Sequence, residues 1–155
     1  MAFMFRFSTE WGFGSDAGSP PPQWRSRRDR APDVLRDARV LVVEDEMLVA
    51  LLLEDRLAAL GCDVVGPAAT VVAGLDLLRS EPIDAAVLDV NINGEKVFPV
   101  ADALADRGIP FLFATAYGAA GVAERHNGRA VLDKPYQERA LEHALRAVLL
   151  SGRKH

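Results

Sequence analysis

Glu44, Asp45, Asp89, Thr115 and Lys134 are the residues of this chain whose types and spacing suit chemistry, and each closely follows a short apolar run. Arg39-Val40-Leu41-Val42-Val43 precedes the acidic pair, and Ala85-Ala86-Val87-Leu88 precedes Asp89. Ile109-Pro110-Phe111-Leu112-Phe113 leads into Thr115, and Ala130-Val131-Leu132 leads into Lys134. Such runs read as strands buried on both faces of a parallel sheet. Ligands of those sheets bind beyond the carboxyl ends of the strands. The carboxylates, the hydroxyl and the ammonium should therefore converge on one rim. That set suits a magnesium ion, an aspartyl phosphate and the groups that hold the phosphate.

Asp89 is the expected nucleophile, since a carboxylate at a strand end can accept a phosphoryl group. Alone, it would read as an ordinary loop or cap residue; the other elements give it weight. Three carboxylates gathered without a cation repel one another and raise one another's pKa values. Magnesium resolves this, because it prefers octahedral oxygen ligation and uses few carboxylates together with phosphate oxygens and water. Asp45 and Asp89 are expected as direct ligands, with Glu44 direct or through water and the Asn91 main-chain carbonyl as a further ligand. Glu46 reads instead as an acid favouring a helix N-terminus. The Lys134 ammonium suits a phosphate oxygen or an aspartate, and Pro135 fixes where it points. The Thr115 hydroxyl can donate to a phosphate oxygen, and Ala116 is small enough for phosphate and metal to approach the backbone.

The elements that must position these groups alternate from Ala38 onward. Strands are expected at 39–43, 63–67, 84–88, 110–114 and 129–132. Helices are expected at 47–60, stopping at Gly61, from the N-cap Thr70 to before Pro82, and at 96–106. A weak helical segment spans 119–126, and a last helix spans 136–150 with Leu141, Leu145, Val148 and Leu149 on one stripe. Five such units imply a doubly wound α/β fold with helices on both faces.

Composition sets bounds. The 155 residues are half apolar and 26% charged, as in a soluble single domain. No apolar run approaches the length of a transmembrane helix, and no signal-peptide pattern opens the chain. Cys62 is the lone cysteine, which excludes an internal disulfide and fits a cytoplasmic protein. Residues 1–37 carry six Arg and five acids, whereas 38–155 carry twelve Lys or Arg and seventeen acids. The acidic globular part offers no general footprint for nucleic acid. Residues 1–37 hold Gly12, Gly14, Gly18 and Pro20-Pro21-Pro22 and read as a flexible extension. Residues 38–150 read as the folded domain and 151–155 as a tail.

Residues 38–150 resemble a response-regulator receiver domain. The resemblance implies a five-stranded parallel sheet in the flavodoxin-like order 2-1-3-4-5. It implies that Asp89 is phosphorylated by a sensor histidine kinase or a phosphotransfer protein. Glu44, Asp45 and Asp89 would hold Mg2+, with Mn2+ able to substitute, and Thr115 and Lys134 would contact the phosphoryl group. Kinase docking would use Met47–Leu53 and Pro135–Tyr136. The stretch Phe113-Ala114-Thr115-Ala116-Tyr117-Gly118 resembles the FAT GUY subgroup, which usually shows Gly where this chain has Ala116. Those regulators are mostly stand-alone receivers that serve stress signalling with kinases of the HWE or HisKA-2 type.

Three departures bear on mechanism. Val131 stands where many receivers carry a switching Tyr or Phe, which leaves Tyr117 as a candidate lid or switch. Gly118, Gly121 and Gly128 make the fourth helix short or mobile. Asn93-Gly94, a turn-forming pair, replaces the usual Pro after the phosphoacceptor loop. His126, His143 and His155 read as incidental. The resulting expectation is a stand-alone receiver, without separate substrate turnover, whose surface changes on phosphorylation. No output domain is expected after Ser151, so an unknown downstream protein or phosphate drain would supply the output. The alternatives are an unphosphorylated pseudo-receiver and a haloacid-dehalogenase-type phosphatase. The latter needs an acid two residues after its nucleophile, where this chain has Asn91.

Overall fold

The computed structural model describes residues 32–154. The strands are β1 (Arg39–Val43), β2 (Asp63–Ala68), β3 (Ala85–Asp89), β4 (Asn91–Ile92), β5 (Glu95–Lys96), β6 (Phe111–Thr115) and β7 (Ala130–Asp133). The helices are α1 (Met47–Ala59), α2 (Val71–Ser80), α3 (Phe98–Asp106) and α4 (Glu138–Gly152). Five strands form a parallel sheet in the order β2-β1-β3-β6-β7, the expected 2-1-3-4-5 arrangement counted over its members. β4 and β5 form a separate antiparallel pair directly after β3.

Alternation along each strand feeds two cores. Val40 and Val42 of β1 join Leu53 and Leu57 of α1 and Leu141, Leu145, Val148 and Leu149 of α4. Leu41 and Val43 point the other way, toward Val71 and Leu78 of α2 and Val100, Ala101 and Leu104 of α3. The central strands are therefore apolar on both faces, as their sequences required. Local signals act as read: the Thr70 side chain accepts the Ala73 N–H at 3.1 Å, and Gly61 ends α1 with φ +86°, where a side chain would be strained.

The folded unit starts earlier than its periodicity suggests. Val34 and Leu35 are buried, Leu35 completely, in the α1/α4 core, and Arg146 of α4 pairs with Asp33. Two apolar residues carry no period, so a reading by period leaves 32–37 with the extension. Of the flexible extension expected over residues 1–37, residues 1–31 lie outside the described residues. At the other end α4 runs two residues past its expected limit, with Ser151 donating to the Val148 carbonyl at 2.8 Å.

No α-helix joins β6 to β7. The connection contains two single-turn 3-10 helices, Ala119–Gly121 and Glu124–His126. Gly118 and Gly128 bracket it at φ +62° and +86°. The expected start of the third helix also moves, because residues 95–96 pair with 91–92 and the helix begins at Phe98.

Candidate functional site

The carboxyl ends of β1, β3, β6 and β7 deliver the expected side chains to one rim. Parallel register does this directly: Val43 pairs with Leu88, Asp89 with Ala114 and Thr115 with Asp133. The residue following each run thus lies at the same level.

Glu44 follows β1 and is 3% exposed. Its Oε2 accepts from Lys134 Nζ at 2.6 Å, and its Oε1 accepts the Glu46 N–H at 3.1 Å. Asp89 is the last residue of β3; its Oδ2 accepts from Lys134 Nζ at 3.1 Å and its Oδ1 accepts the Asn91 N–H at 3.3 Å. Asp45 Oδ2 accepts the Asn93 N–H at 2.9 Å. Glu44, Asp45 and Asp89 each present an oxygen within 4.8 Å of the others, the one such carboxylate, histidine or thiol cluster among the described residues. Three carboxylate oxygens at that spacing with, among the described residues, Lys134 as their one cationic partner fit a hard divalent ion. Formal charge then balances, since a divalent cation cancels the excess of two negative charges.

Burial sets the electrostatics. Desolvation raises the Glu44 carboxyl, against the lowering effect of its bond from Lys134. Burial alone would lower the Lys134 ammonium, but the Glu44 and Asp89 carboxylates outweigh it and hold the amine above its ordinary 10.5. The lysine is therefore a fixed positive charge at neutral pH.

Thr115 ends β6 and is 1% exposed. Its Oγ1 accepts the Tyr117 N–H at 3.1 Å, which uses one lone pair and leaves the hydroxyl proton for another acceptor. Its carbonyl accepts the Lys134 N–H at 2.8 Å, so hydroxyl and ammonium ride on adjoining strand ends. The Lys134–Pro135 peptide is cis. Ala116 is exposed beside this rim. Tyr117 is 71% exposed, and it meets Thr115 through its main chain. Val131 is partly buried against the α2/α3 core. Glu46 occupies the N-cap of α1 without a side-chain capping bond. Beside the carboxylates lies a depression of about 220 Å3, walled by Met47, Ala50, Leu51, Glu54, Pro67 and Ala69. Met47, Leu48, Leu51 and Leu52 leave an apolar face of α1 exposed next to it.

Two residues hold more than their sequence context suggests. Asn93 bonds Asp45 through its main chain and the Ala69 carbonyl through its side chain, at 3.0 Å. The Asn-Gly pair signals the turn but not these partners. His126 is not incidental: it is 3% exposed, with Nε2 2.8 Å from Asp102 Oδ1. Its ring sits 5.7–6.0 Å from the rings of Phe98, Phe111 and Phe113. Arg125 holds both oxygens of the same Asp102 at 2.8 and 2.9 Å. A lone histidine among glycines gives no sequence signal for that burial.

Comparison with known proteins agrees with this geometry. A family profile described as the response regulator receiver domain matches residues 40–146. The solution structure of SdrG from Sphingomonas melonis Fr1 is 46% identical, covering 73% of this chain and 96% of that one at a TM-score of 0.66. The BeF3-activated conformation of SdrG from Pseudomonas melonis Fr1 is 43% identical, covering 74% and 98% at 0.64. The response regulator PhyR from Brucella abortus is 26% identical, covering 79% of this chain but only 52% of that one, at 0.68. A search among curated proteins gave no match. With its sheet order, its acidic rim and its profile match together, the chain belongs to the response regulator receiver domain family.

Proposed function

We propose that this receiver accepts a phosphoryl group on Asp89 from a sensor histidine kinase or a phosphotransfer protein. The supporting observation is that Asp89 accepts from Lys134 Nζ at 3.1 Å and presents an oxygen within 4.8 Å of carboxylate oxygens of Glu44 and Asp45. An Asp89 carboxylate oxygen attacks phosphorus, the P–N bond to the donor imidazole breaks, and the imidazole leaves with the bonding pair. Asp45, Asp89 and the Asn91 main-chain carbonyl would hold Mg2+, with Glu44 direct or through water. The ion, or Mn2+ in its place, supplies neutralisation of charge on the phosphoryl oxygens. Lys134 pairs with one phosphoryl oxygen, and the Thr115 O–H donates to another. Drawing Thr115 toward the phosphoryl group pulls the β6–β7 connection inward and changes the surface that a downstream protein reads. Small Ala116 leaves room for that approach, while exposed Tyr117 tunes access of water to the acyl phosphate. Exposed Met47, Leu48, Leu51 and Leu52 supply apolar contact for the phosphodonor. The Phe113–Tyr117 stretch supports membership of the FAT GUY subgroup, and through it a role in stress signalling with HWE or HisKA-2 kinases.

The experiment is phosphotransfer from a panel of autophosphorylated histidine kinases to wild type and Asp89→Asn, with Mg2+ present. Rapid labelling of wild type alone is expected and identifies the cognate donor. Equal labelling of the variant would move the acceptor elsewhere, and no labelling of either would favour an unphosphorylated interaction module.

A further inference from the structure

Among the described residues Asp45 is the site carboxylate without an ammonium partner, since Lys134 Nζ is shared by Glu44 and Asp89. Something else must orient it. The group that does so is the main-chain N–H of Asn93, which reaches Asp45 Oδ2 at 2.9 Å from the far side of the acceptor loop. That reach depends on an unusual backbone. Asn93 lies at φ +51°, in the left-handed region that asparagine tolerates better than most residues. Its own side chain holds it there: Nδ2 donates to the Ala69 carbonyl at 3.0 Å. One residue therefore joins three loops at the rim, those after β1, β2 and β3.

We propose that Asn93 is a positioning residue for the cation: its main-chain N–H fixes one oxygen of Asp45 so that the other faces the ion. This rests on the reading of Glu44, Asp45 and Asp89 as a metal site. A carboxylate spun freely about its terminal torsion must be ordered on binding, whereas one already held by a hydrogen bond is not. Partners that orient metal-ligating groups are typically worth about 10–100-fold in metal affinity. The carboxamide contributes indirectly, by holding the loop, so its loss costs less than loss of the N–H. Proline at this position has no N–H to offer and cannot take a positive φ.

The test is Mg2+ titration followed by amide NMR shifts in the full chain, comparing wild type, Asn93→Gly and Asn93→Pro. Glycine keeps the N–H and the positive φ while removing the tie to Ala69. Its dissociation constant is expected within about threefold of wild type, and that of Asn93→Pro is expected to rise at least about tenfold. A proline variant that binds Mg2+ as wild type does would overturn the proposal, as would a glycine variant as weak as the proline one. Hydrogen exchange of the Asn93 amide in the metal-free protein gives a second readout that needs no substitution in the loop. Exchange is expected to be slow in wild type and at least about tenfold faster in Asp45→Ala, with core amides unchanged. A fast-exchanging Asn93 amide in wild type would contradict the hydrogen bond itself. Absence of Mg2+ binding in wild type would instead remove the metal site, and the positioning role with it; binding by wild type with no loss in the proline variant would remove the positioning role alone.

Discussion

Two clusters of this domain each gather acid and base, and they do it with opposite charge accounting. At the rim the three carboxylates of Glu44, Asp45 and Asp89 gather, and among the described residues the one ammonium there, that of Lys134, pairs with Glu44 and Asp89. Behind the β6–β7 connection, one carboxylate, Asp102, receives both Arg125 and His126. The second cluster is complete in itself. Its carboxyl is held below the ordinary value, chiefly by the Arg125 bond and then by His126, and its histidine is walled in by phenylalanines. It pins a segment that has no α-helix to α3, and it has no excess charge to spend on a ligand. The rim is left in deficit of positive charge, with Glu44 pushed up by burial. The difference separates a clasp from a candidate site: the balanced cluster holds the connection, and the unbalanced one is the cluster proposed to take a cation and a phosphoryl group.

The largest effect should come from unbalancing the rim further. Lys134→Met strands Glu44 without an ammonium, at an expected cost of about 3–5 kcal/mol at neutral pH in chemical denaturation. The sign with pH follows from linkage. A carboxyl raised in the folded state above its ordinary 4.5 binds protons there that the unfolded chain has released. Stability of the variant should therefore rise as pH falls toward 4.5 from above, and a variant equally destabilised throughout that window would contradict the charge account. In wild type the lysine contribution has the same sign in a different window: it is complete below 10.5 and is lost only as pH climbs through the raised value.

Breaking the balanced cluster should cost less and do something different. His126→Ala removes a buried ring and its bond to Asp102, at about 2–3 kcal/mol by denaturation. Mg2+ affinity, read by titration, should stay within about twofold of wild type. A tenfold loss would mean that the clasp and the rim are one unit. A comparable increment separates the two clusters from the other side. Mg2+ at about one hundred times its dissociation constant should stabilise wild type by about 2.7 kcal/mol. EDTA should abolish the gain, Asp102→Asn should keep it and Asp45→Ala should lose most of it. The smallest effect is expected at Tyr117, which is 71% exposed. Tyr117→Ala should change stability by under about 0.5 kcal/mol while altering the lifetime of the phosphorylated form. A large loss of stability would show that the tyrosine packs rather than gates.

How much of this was legible in the sequence follows the same division. The rim was readable because each of its groups closes a run of buried strand residues, and parallel register then brings strand ends together whatever the helices do. Val40 to Val43 specify a two-faced strand, and Glu44 must follow them. Leu141, Leu145, Val148 and Leu149 declare their stripe in the same way. The clasp was not readable, because Asp102, Arg125 and His126 belong to a helix surface and to a glycine-bracketed connection without period. Only the closure of that connection onto α3 makes His126 a core residue. Val34 and Leu35 failed for a related reason: two apolar residues after a proline have no period, yet they fill the space between α1 and α4. At Asn93 the turn chemistry was visible, but its partners lie in two other loops, which only the fold brings together.

The most direct test of the central claim needs no partner protein. Wild type and Asp89→Asn would be incubated with acetyl phosphate and Mg2+, and intact mass followed by peptide mapping would locate any adduct. A single phosphoryl adduct on the peptide containing Asp89, labile to hydroxylamine and absent from the variant and from samples with EDTA, is expected. An adduct on another residue, or one that forms equally without the cation, would contradict the assignment of the unbalanced rim as the phosphoryl site.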